Sequence, residues 1–279
     1  MSQLLLKKPL VQLLNASGTE VGVESWTLPE DKAALQAMAP SRAEQFFIVK
    51  PNLESGGTGI SIHHGLESVL PLDDCVVQPL LQDPVLFNGR KADFRVYVLI
   101  LNGQGDNYRT FLFKQAYARV AGDPYVPISA ASLKKAAVYL TNDAVGRDKN
   151  ALDELIQPIQ SVIPAEHLQS FLNGVGTLVR KTVSAVMHEV HRLPEAPVPA
   201  EHTYQLLGFD VFASRDFSRL ALLEVNSKPC VGCDLDKSEV LKEVNTNALF
   251  LSLLLGGNAG DNKVIDEVAK VFSDLVVEV

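Results

Sequence analysis

The segment 90–101 constrains the fold more than any other part of the chain, because its side chains alternate in character. Successive residues of a β-strand point to opposite faces. One face of this strand carries Lys91, Asp93, Arg95 and Tyr97. The other face carries Ala92, Phe94, Val96 and Val98. The apolar continuation to residue 101 predicts a strand that enters a hydrophobic core.

The three charges on this strand are costly to bury unless they pair with one another or meet a charged ligand. Two interpretations remain open. The face is a solvated surface with an internal Asp–Arg pair, or it is the wall of a binding site. The apolar continuation of the strand favours the binding site.

A second constellation lies near the end of the chain, where Asp210 is followed by Glu224 and Asn226. A hairpin centred near Phe217 would place Asp210 directly opposite Glu224, with Asn226 on the same face as Glu224. Opposed carboxylates destabilise a sheet unless a cation joins them. Oxygen ligands of this kind suit Mg²⁺. The alternative is an acidic pair on a solvated face.

A glycine-rich turn, residues 54–59, follows Lys50 and is called the flap turn below. Its backbone N–H groups could fold over phosphates. It is not a Walker A sequence, and it runs into a strand rather than a helix. A simple turn between two strands is the alternative.

The remaining periodicity predicts an α+β or mixed α/β fold with antiparallel hairpins. The predicted strands are 46–49, 60–62, 75–81, 91–101, 109–120, 204–213 and 220–225. The predicted helices cover 143–192, 236–255 and 262–278.

Composition excludes several function classes. The chain has 279 residues and a net charge of −8, which disfavours non-specific nucleic-acid binding. Its three cysteines cannot build a disulfide framework and favour a reducing compartment. The apolar run 248–255 is too short to cross a membrane. We therefore expect a cytoplasmic protein without nucleic-acid or membrane partners, and its oligomeric state stays open.

Ordered motifs over residues 25–255 resemble the tubulin–tyrosine ligase-like family of the ATP-grasp superfamily. The matching stretches are Ser25-Trp-Thr-Leu-Pro29, Ile48-Val-Lys-Pro51, Gly57-Thr-Gly-Ile60, Val76-Val-Gln78, Gly89-Arg-Lys-Ala-Asp-Phe-Arg-Val-Tyr-Val-Leu99, Arg119, Pro124-Tyr125, Leu140-Thr-Asn142, Leu207-Gly-Phe-Asp210 and Leu223-Glu-Val-Asn-Ser-Lys-Pro229. The order and spacing of these stretches are more specific than any single motif.

The resemblance implies an ATP-grasp fold of two lobes with ATP between them. We expect the smaller lobe, with the flap turn, over 1–74 and the larger lobe over 75–279. It implies an ATP- and Mg-dependent ligase that activates a protein or peptide carboxylate as an acyl phosphate and joins it to a free amino acid. Tyrosine, glutamate or glycine is the amino acid, and a tubulin tail or another protein is the acceptor. Cytoskeletal association is a further expectation.

The resemblance also implies roles for individual residues. The expected nucleotide-binding residues are Lys50, Gly57, Gly59, Ile60, Gln78, Leu80, Lys91, Asp93, Thr141 and Asn142. The expected catalytic residues, which screen the attack of one anion on another, are Lys91, Arg95 and Arg119. The expected Mg²⁺ ligands are Asp210, Glu224 and Asn226. Residues 90–119 hold six basic and two acidic side chains, a local excess that attracts anions.

Two departures from the family pattern bear on these expectations. Pro79 replaces a residue with a backbone N–H, so a backbone carbonyl at Leu80 is expected to contact the adenine amine. Fewer than 50 residues precede Lys50, so we expect the chain to lack the family's N-terminal domain. Two alternatives stay open: a ligase for a small-molecule or peptide acid, and a nucleotide-binding adaptor without turnover.

Overall fold

Two antiparallel sheets and the helices packed on them organise the chain. The computed structural model describes residues 6–54, 56–102, 108–133, 136–141, 155–190, 203–227, 229, 231 and 238–279. Its helices are α1 (Lys7–Ala16), α2 (Lys32–Met38), α3 (Ala136–Tyr139), α4 (Ile159–Val162), α5 (Ala165–Val190), α6 (Glu239–Gly256) and α7 (Asn262–Val271). Its strands are β1 (Trp26–Leu28), β2 (Phe46–Pro51), β3 (Ser61–His64), β4 (Cys75–Pro79), β5 (Leu86–Phe87), β6 (Arg90–Asn102), β7 (Tyr108–Phe113), β8 (Tyr117–Pro124), β9 (Ile156–Pro158), β10 (Thr203–Ala213), β11 (Leu220–Asn226) and β12 (Val276–Glu278).

The smaller sheet has the strand order β1-β4-β2-β3. Its core is formed by Phe47, Val49 and Val77 together with Leu35 of α2. Strand β4 pairs with both β1 and β2. The apolar run that begins at Cys75 therefore belongs to this sheet, although the expected lobe boundary at residue 74 assigned it to the larger lobe. The division into two lobes itself stays a prediction.

The larger sheet has the order β11-β10-β6-β7-β12, and β5 and β8 also pair with β6. The apolar face of β6 joins a core that includes Phe171, Val175 and Val179 of α5. The opposite face is charged in its first half and apolar in its second half, where Tyr97, Leu99 and Leu101 pack under α6. Side chains of these apolar types each contribute roughly 1.5–3 kcal/mol when fully buried. Both faces of β6 are thus covered by apolar packing from Tyr97 onward. The charged face of the first half of the strand is left to contact polar groups or a ligand.

Helix α6 covers the second half of that face. Ser238 caps its first turn by accepting a hydrogen bond from the Leu241 N–H. The Tyr97 hydroxyl donates to Asn245 Oδ1 at 2.6 Å, at the point where the charged half of β6 ends. Burial raises the pKa of Tyr97, so this hydroxyl keeps its proton and remains a donor.

The predicted single strand 109–120 is two strands. Leu112 lies opposite Val98, whereas Tyr117 lies opposite Arg95, so five steps along this chain segment match three along β6. The extra residues bulge out, and the Lys114 N–H and amine donate to carbonyl groups of the C-terminal segment. The bulge places Arg119 directly opposite Asp93. Bulges of this kind commonly re-aim a side chain near a functional site.

The predicted helix 262–278 ends early. Helix α7 stops at Val271, and Val276–Glu278 forms β12 on the edge of β7. The β-branched residues Val276 and Val277 favour a strand, and the neighbouring edge offers unpaired backbone groups. The predicted helix 143–192 corresponds, within the described residues, to α4 and α5, with strand β9 before them.

Helix α1 joins the two parts of the fold. Its residues Leu10, Leu13 and Leu14 pack in the core of the larger sheet. Its first turn contacts the smaller sheet, because Lys8 donates to the Leu28 carbonyl at 2.8 Å and pairs with Glu30 at 3.0 Å. Helix α1 therefore contacts both sheets and links them.

Replacing Tyr97 with phenylalanine tests the contact between β6 and α6. We expect Tyr97→Phe to lower the free energy of unfolding by about 1–2 kcal/mol, because the buried hydrogen bond between Tyr97 and Asn245 is lost. Urea denaturation measures this change. Tyr204→Phe is the control, since Tyr204 is 40% exposed and its loss of a hydroxyl should change little. Equal effects of the two substitutions would contradict the assignment.

Candidate functional site

A cleft lies between the two sheets. The smaller sheet contributes Ile48, Lys50 and Gln78 to its walls. The larger sheet and the segment around α3 contribute Lys91, Asp93, Arg119, Tyr139, Leu140, Thr141, Asp210, Phe212, Leu223 and Glu224. We call the charged residues of the larger sheet the charged end of the cleft, and Pro79 to Leu81, which also line it, the apolar end.

Strand register assembles the charged end. Asp210 lies opposite Glu224 on one side and opposite Arg95 on the other. The pairing of Asp210 with Glu224 is the one that the sequence predicts for a hairpin with Phe217 in its turn. Asp93 lies opposite Arg119. Residues from four adjacent strands thus present their side chains to one face.

The arginines and aspartates of this face form a buried ion network. Arg119 Nε lies 2.9 Å from Asp93 Oδ1, and Arg119 Nη2 lies 3.0 Å from Asp210 Oδ2. Arg95 donates to both carboxylate oxygens of Asp210, with Nη2 at 3.1 Å from Oδ2. Both aspartate side chains are 3% exposed. Buried charges persist only when they are paired and hydrogen-bonded in this way.

This pairing decides the protonation of Asp210. Burial by itself would raise the pKa of Asp210, but the charges of Arg119 and Arg95 outweigh it and hold that pKa below its usual value. Asp210 is therefore a carboxylate at neutral pH. The same carboxylates hold the pKa of Arg119 above its usual value although burial opposes this.

Lys50 is the first of two lysines in the cleft whose amines donate to backbone oxygen. Its amine donates to the Leu223 carbonyl at 2.9 Å. A bulge frees this carbonyl. Asp210 lies opposite Glu224, but the next residue, Val211, lies opposite Leu222, so Leu223 has no partner in the ladder. Burial lowers the pKa of Lys50 to about 8, against the opposing charge of Glu224.

Lys91 is the second such lysine. Its amine donates to the Tyr139 carbonyl at 2.7 Å, and burial lowers its pKa. Among the residues that the structure describes, neither Lys91 nor Lys50 has a carboxylate within ion-pair distance. Buried ammonium groups without a counter-charge favour the arrival of an anion.

The expected metal ligands meet on the same face. Asn226 Nδ2 lies 3.3 Å from Asp210 Oδ2, and Glu224 Oε1 lies 3.4 Å from the amine of Lys7. Two carboxylates and one amide suit Mg²⁺, which prefers oxygen ligands and keeps several waters. In the described part of the chain, no cluster of three or more His, Cys, Asp or Glu side chains is placed to hold a metal. The donor set fits a cation shared with a ligand's own oxygens.

The flap turn leads into Ile60, which lines the cleft. Gly57 and Gly59 precede Ile60, with positive φ angles of 90° and 70°. A Cβ atom at Gly59 would lie 2.9 Å from Pro51 Cγ, so position 59 has no room for a side chain. These glycines do not line the cleft, and the contact of their N–H groups with phosphate stays a prediction.

Strand β4 and its continuation form the apolar end. The Gln78 side chain donates to Ser25 Oγ at 2.8 Å and lines the cleft. The Leu80 N–H donates to the Phe46 carbonyl at 2.8 Å. Since Pro79 has no N–H, a planar ligand here must bind carbonyl groups or the N–H of Leu81, which also lines the cleft.

The other expected residues are placed as follows. The Thr141 hydroxyl donates to Asp93, and both line the cleft. Asn142 lies outside the described residues. Arg95 and Asn226 do not line the cleft and lie next to it, in contact with Asp210.

Two contacts of the site are not predicted by the sequence patterns. Lys7 reaches Glu224 from α1, which is more than 200 positions away in the chain. The pair Lys7 and Lys8, within an otherwise apolar N-terminus, was the available signal. The Tyr139 carbonyl that holds Lys91 left no side-chain pattern in the sequence.

Comparison with solved structures identifies the fold. The C-terminal domain of K. lactis Pby1, described as an ATP-grasp enzyme interacting with the mRNA decapping enzyme Dcp2, superposes with a TM-score of 0.56 at 21% identity. The superposition covers 89% of this chain and 72% of that one. The fold is that of an ATP-grasp domain, as the sequence predicts.

Comparison of sequences then gives the family. The profile of the tubulin-tyrosine ligase family matches residues 6–259, and the chain belongs to this family. Tubulin polyglutamylase TTLL6 of Mus musculus is 27% identical over 259 residues, 87% of this chain and 31% of that protein. Tubulin polyglutamylase TTLL7 of Xenopus tropicalis is 28% identical over 262 residues, 86% of this chain and 28% of that protein. The chain spans less than a third of the length of these relatives.

Within the described residues, no helix is both long and apolar enough to span a bilayer.

Arg119 offers a test of the ion network. We expect Arg119→Met to lower the free energy of unfolding by about 3–5 kcal/mol at pH 7, because it leaves two buried carboxylates short of a counter-charge. Urea denaturation measures this change. Arg109→Met is the control, since Arg109 pairs with the half-exposed Glu278 and such pairs contribute about 0–1 kcal/mol. A change at Arg119 as small as at Arg109 would show that the network is not a buried one.

Proposed function

We propose that this protein is an ATP- and Mg-dependent ligase that joins a free amino acid to a carboxylate of a protein or peptide. The observation that carries the proposal is the pair of cleft lysines, Lys50 and Lys91, beside a carboxylate–amide cluster. Their amines donate to backbone carbonyls, and no carboxylate of the described residues lies within ion-pair distance of them. The polyphosphate of ATP supplies the negative charge that these amines lack.

The nucleotide is oriented by the two ends of the cleft. Backbone groups of Pro79 to Leu81 and the Gln78 side chain, which line the apolar end, would hold its base. Lys50 and Lys91 would bind its phosphates under the flap turn. Asp93 and Thr141, which also line the cleft, would lie beside the ribose and the phosphates.

Asp210, Glu224 and Asn226 would hold Mg²⁺ beside the phosphates. The bound ion supplies charge neutralisation and orientation of the terminal phosphates. For Glu224 to bind the ion, the amine of Lys7, which lies 3.4 Å from it, must move aside or turn to a phosphate.

The reaction has two steps. An acceptor carboxylate oxygen attacks the γ-phosphorus, the bond from that phosphorus to the β–γ bridging oxygen breaks, and ADP leaves. The amine nitrogen of the amino acid then attacks the acyl carbon, the phosphate leaves, and the amine loses a proton as the amide forms. Arg119 and Arg95 stabilise the charge that develops, because fixed cations in a dry site act more strongly than in water.

Relatives named as tubulin polyglutamylases suggest the first substrates to test. We infer glutamate as the amino acid and an acidic tubulin-tail peptide as the acceptor, with tyrosine and glycine as the alternatives. A tubulin substrate would place the protein at the cytoskeleton.

ADP release tests the proposed function. The wild type should release ADP only when ATP, Mg²⁺, an amino acid and an acidic peptide are all present. Lys50→Met should lower kcat/KM roughly 10- to 100-fold, the loss of a charge-assisted hydrogen bond of about 1.5–3 kcal/mol. Lys32→Met, at an exposed position of α2, is the control and should leave the rate unchanged.

Three results would redirect the proposal. ADP release that needs a small acid rather than a peptide would indicate a small-molecule ligase. Nucleotide binding without amino-acid-dependent ADP release would indicate an adaptor. Unchanged kinetics in Lys50→Met would mean that the phosphates do not bind at this lysine.

A further inference from the structure

Gly208 leaves a gap in the charged face of the larger sheet. Strand register places Arg95, Asp210 and Glu224 in one row across β6, β10 and β11. The next row holds Tyr97, Gly208 and Asn226. Gly208 is thus the position without a side chain among six neighbours on this face.

Backbone conformation does not explain the glycine. Gly208 is not among the glycines with positive φ, and it lies inside a regular strand. Glycine weakens a strand interior, so its presence indicates a close approach of another group. A glycine is therefore needed at position 208 because another group occupies the space that a side chain would take.

The group that fills the space is Arg95. A Cβ atom on Gly208 would lie 3.0 Å from Arg95 Cδ and 3.2 Å from Arg95 Nε. It would also lie 3.2 Å from Pro229 Cβ. An added Cβ atom would therefore be closer to both neighbours than an ordinary van der Waals contact.

Arg95 has little freedom to yield. Its guanidinium is held by both oxygens of Asp210, and its side chain is 12% exposed. The adjacent Tyr97 is completely buried and fixed through its hydroxyl to Asn245 of α6. A methyl group at position 208 would therefore displace Arg95 Nε from Asp210.

We propose that Gly208 is a positioning residue that sets the guanidinium of Arg95 against Asp210. The proposal rests on the proposed function for its catalytic consequence, since Arg95 and Asp210 act there on the reacting phosphate and its metal. The placement of Arg95 between Gly208 and Asp210 is independent of that function. Lys50 and Lys91 line the cleft, whereas Gly208 does not, so nucleotide affinity should depend little on Gly208.

Gly208→Ala should therefore separate the kinetic constants of the ligase reaction. We expect kcat for ADP release to fall at least about tenfold, while KM for ATP stays within about threefold of the wild-type value. In an Arg95→Ala background the same substitution should have no further effect on kcat, because the atoms that it displaces are gone. Additive losses in the double variant would contradict the proposal.

A spectroscopic measurement keeps the proposal testable without turnover. The ¹H–¹⁵N signal of Arg95 Nε–H is assigned by its absence in Arg95→Lys, which has no such group. We expect this signal to shift in Gly208→Ala. Gly176→Ala is the matched control, because Gly176 lies in α5 and its added methyl would lie 3.3 Å from Val279 Cγ1 rather than against Arg95.

The two measurements distinguish the two claims. The wild type could release no ADP with any acceptor while the Nε–H signal still shifts in Gly208→Ala. This result would support the positioning role and contradict the proposed function. An active wild type whose kcat and Nε–H signal are both unchanged in Gly208→Ala would overturn the positioning role alone. A signal that moves equally in Gly176→Ala would also overturn it.

Discussion

The ion network of Arg119, Asp93, Asp210 and Arg95 is the interaction on which the charged side of the cleft depends. Four charges are buried in contact with one another, and each is stable there only because its partners are present. Strand register supplies those partners, since Arg95 and Arg119 each lie opposite an aspartate. The pairing of the strands and the chemistry of the site are therefore one structural feature.

The network also explains why two other cations have no carboxylate partner among the described residues. Asp93 and Asp210 are engaged by the arginines, so Lys50 and Lys91 bind backbone carbonyls instead. The Leu223 carbonyl is available to Lys50 because a bulge removes it from the ladder. The bulge between β7 and β8 likewise brings Arg119 opposite Asp93. Irregularities in the sheet thus place the groups that we propose bind phosphate.

Sequence patterns predicted the parts of this arrangement that depend on local periodicity. The two faces of β6 follow from alternation alone, and the opposition of Asp210 and Glu224 follows from the symmetry of a hairpin. Contacts between distant elements were not predictable in this way. Lys7 reaches Glu224 only because α1 packs against the larger sheet, and β12 forms only because the edge of β7 is open to it. Neither contact leaves a periodic signal.

The most direct test of the central claim is a calorimetric titration with a non-hydrolysable ATP analogue, with and without Mg²⁺, on the wild type and on Glu224→Gln. The account predicts binding to the wild type that tightens with Mg²⁺, and loss of that Mg²⁺ dependence in the variant. It is contradicted if the wild type does not bind the analogue, or if Mg²⁺ tightens binding equally in both proteins.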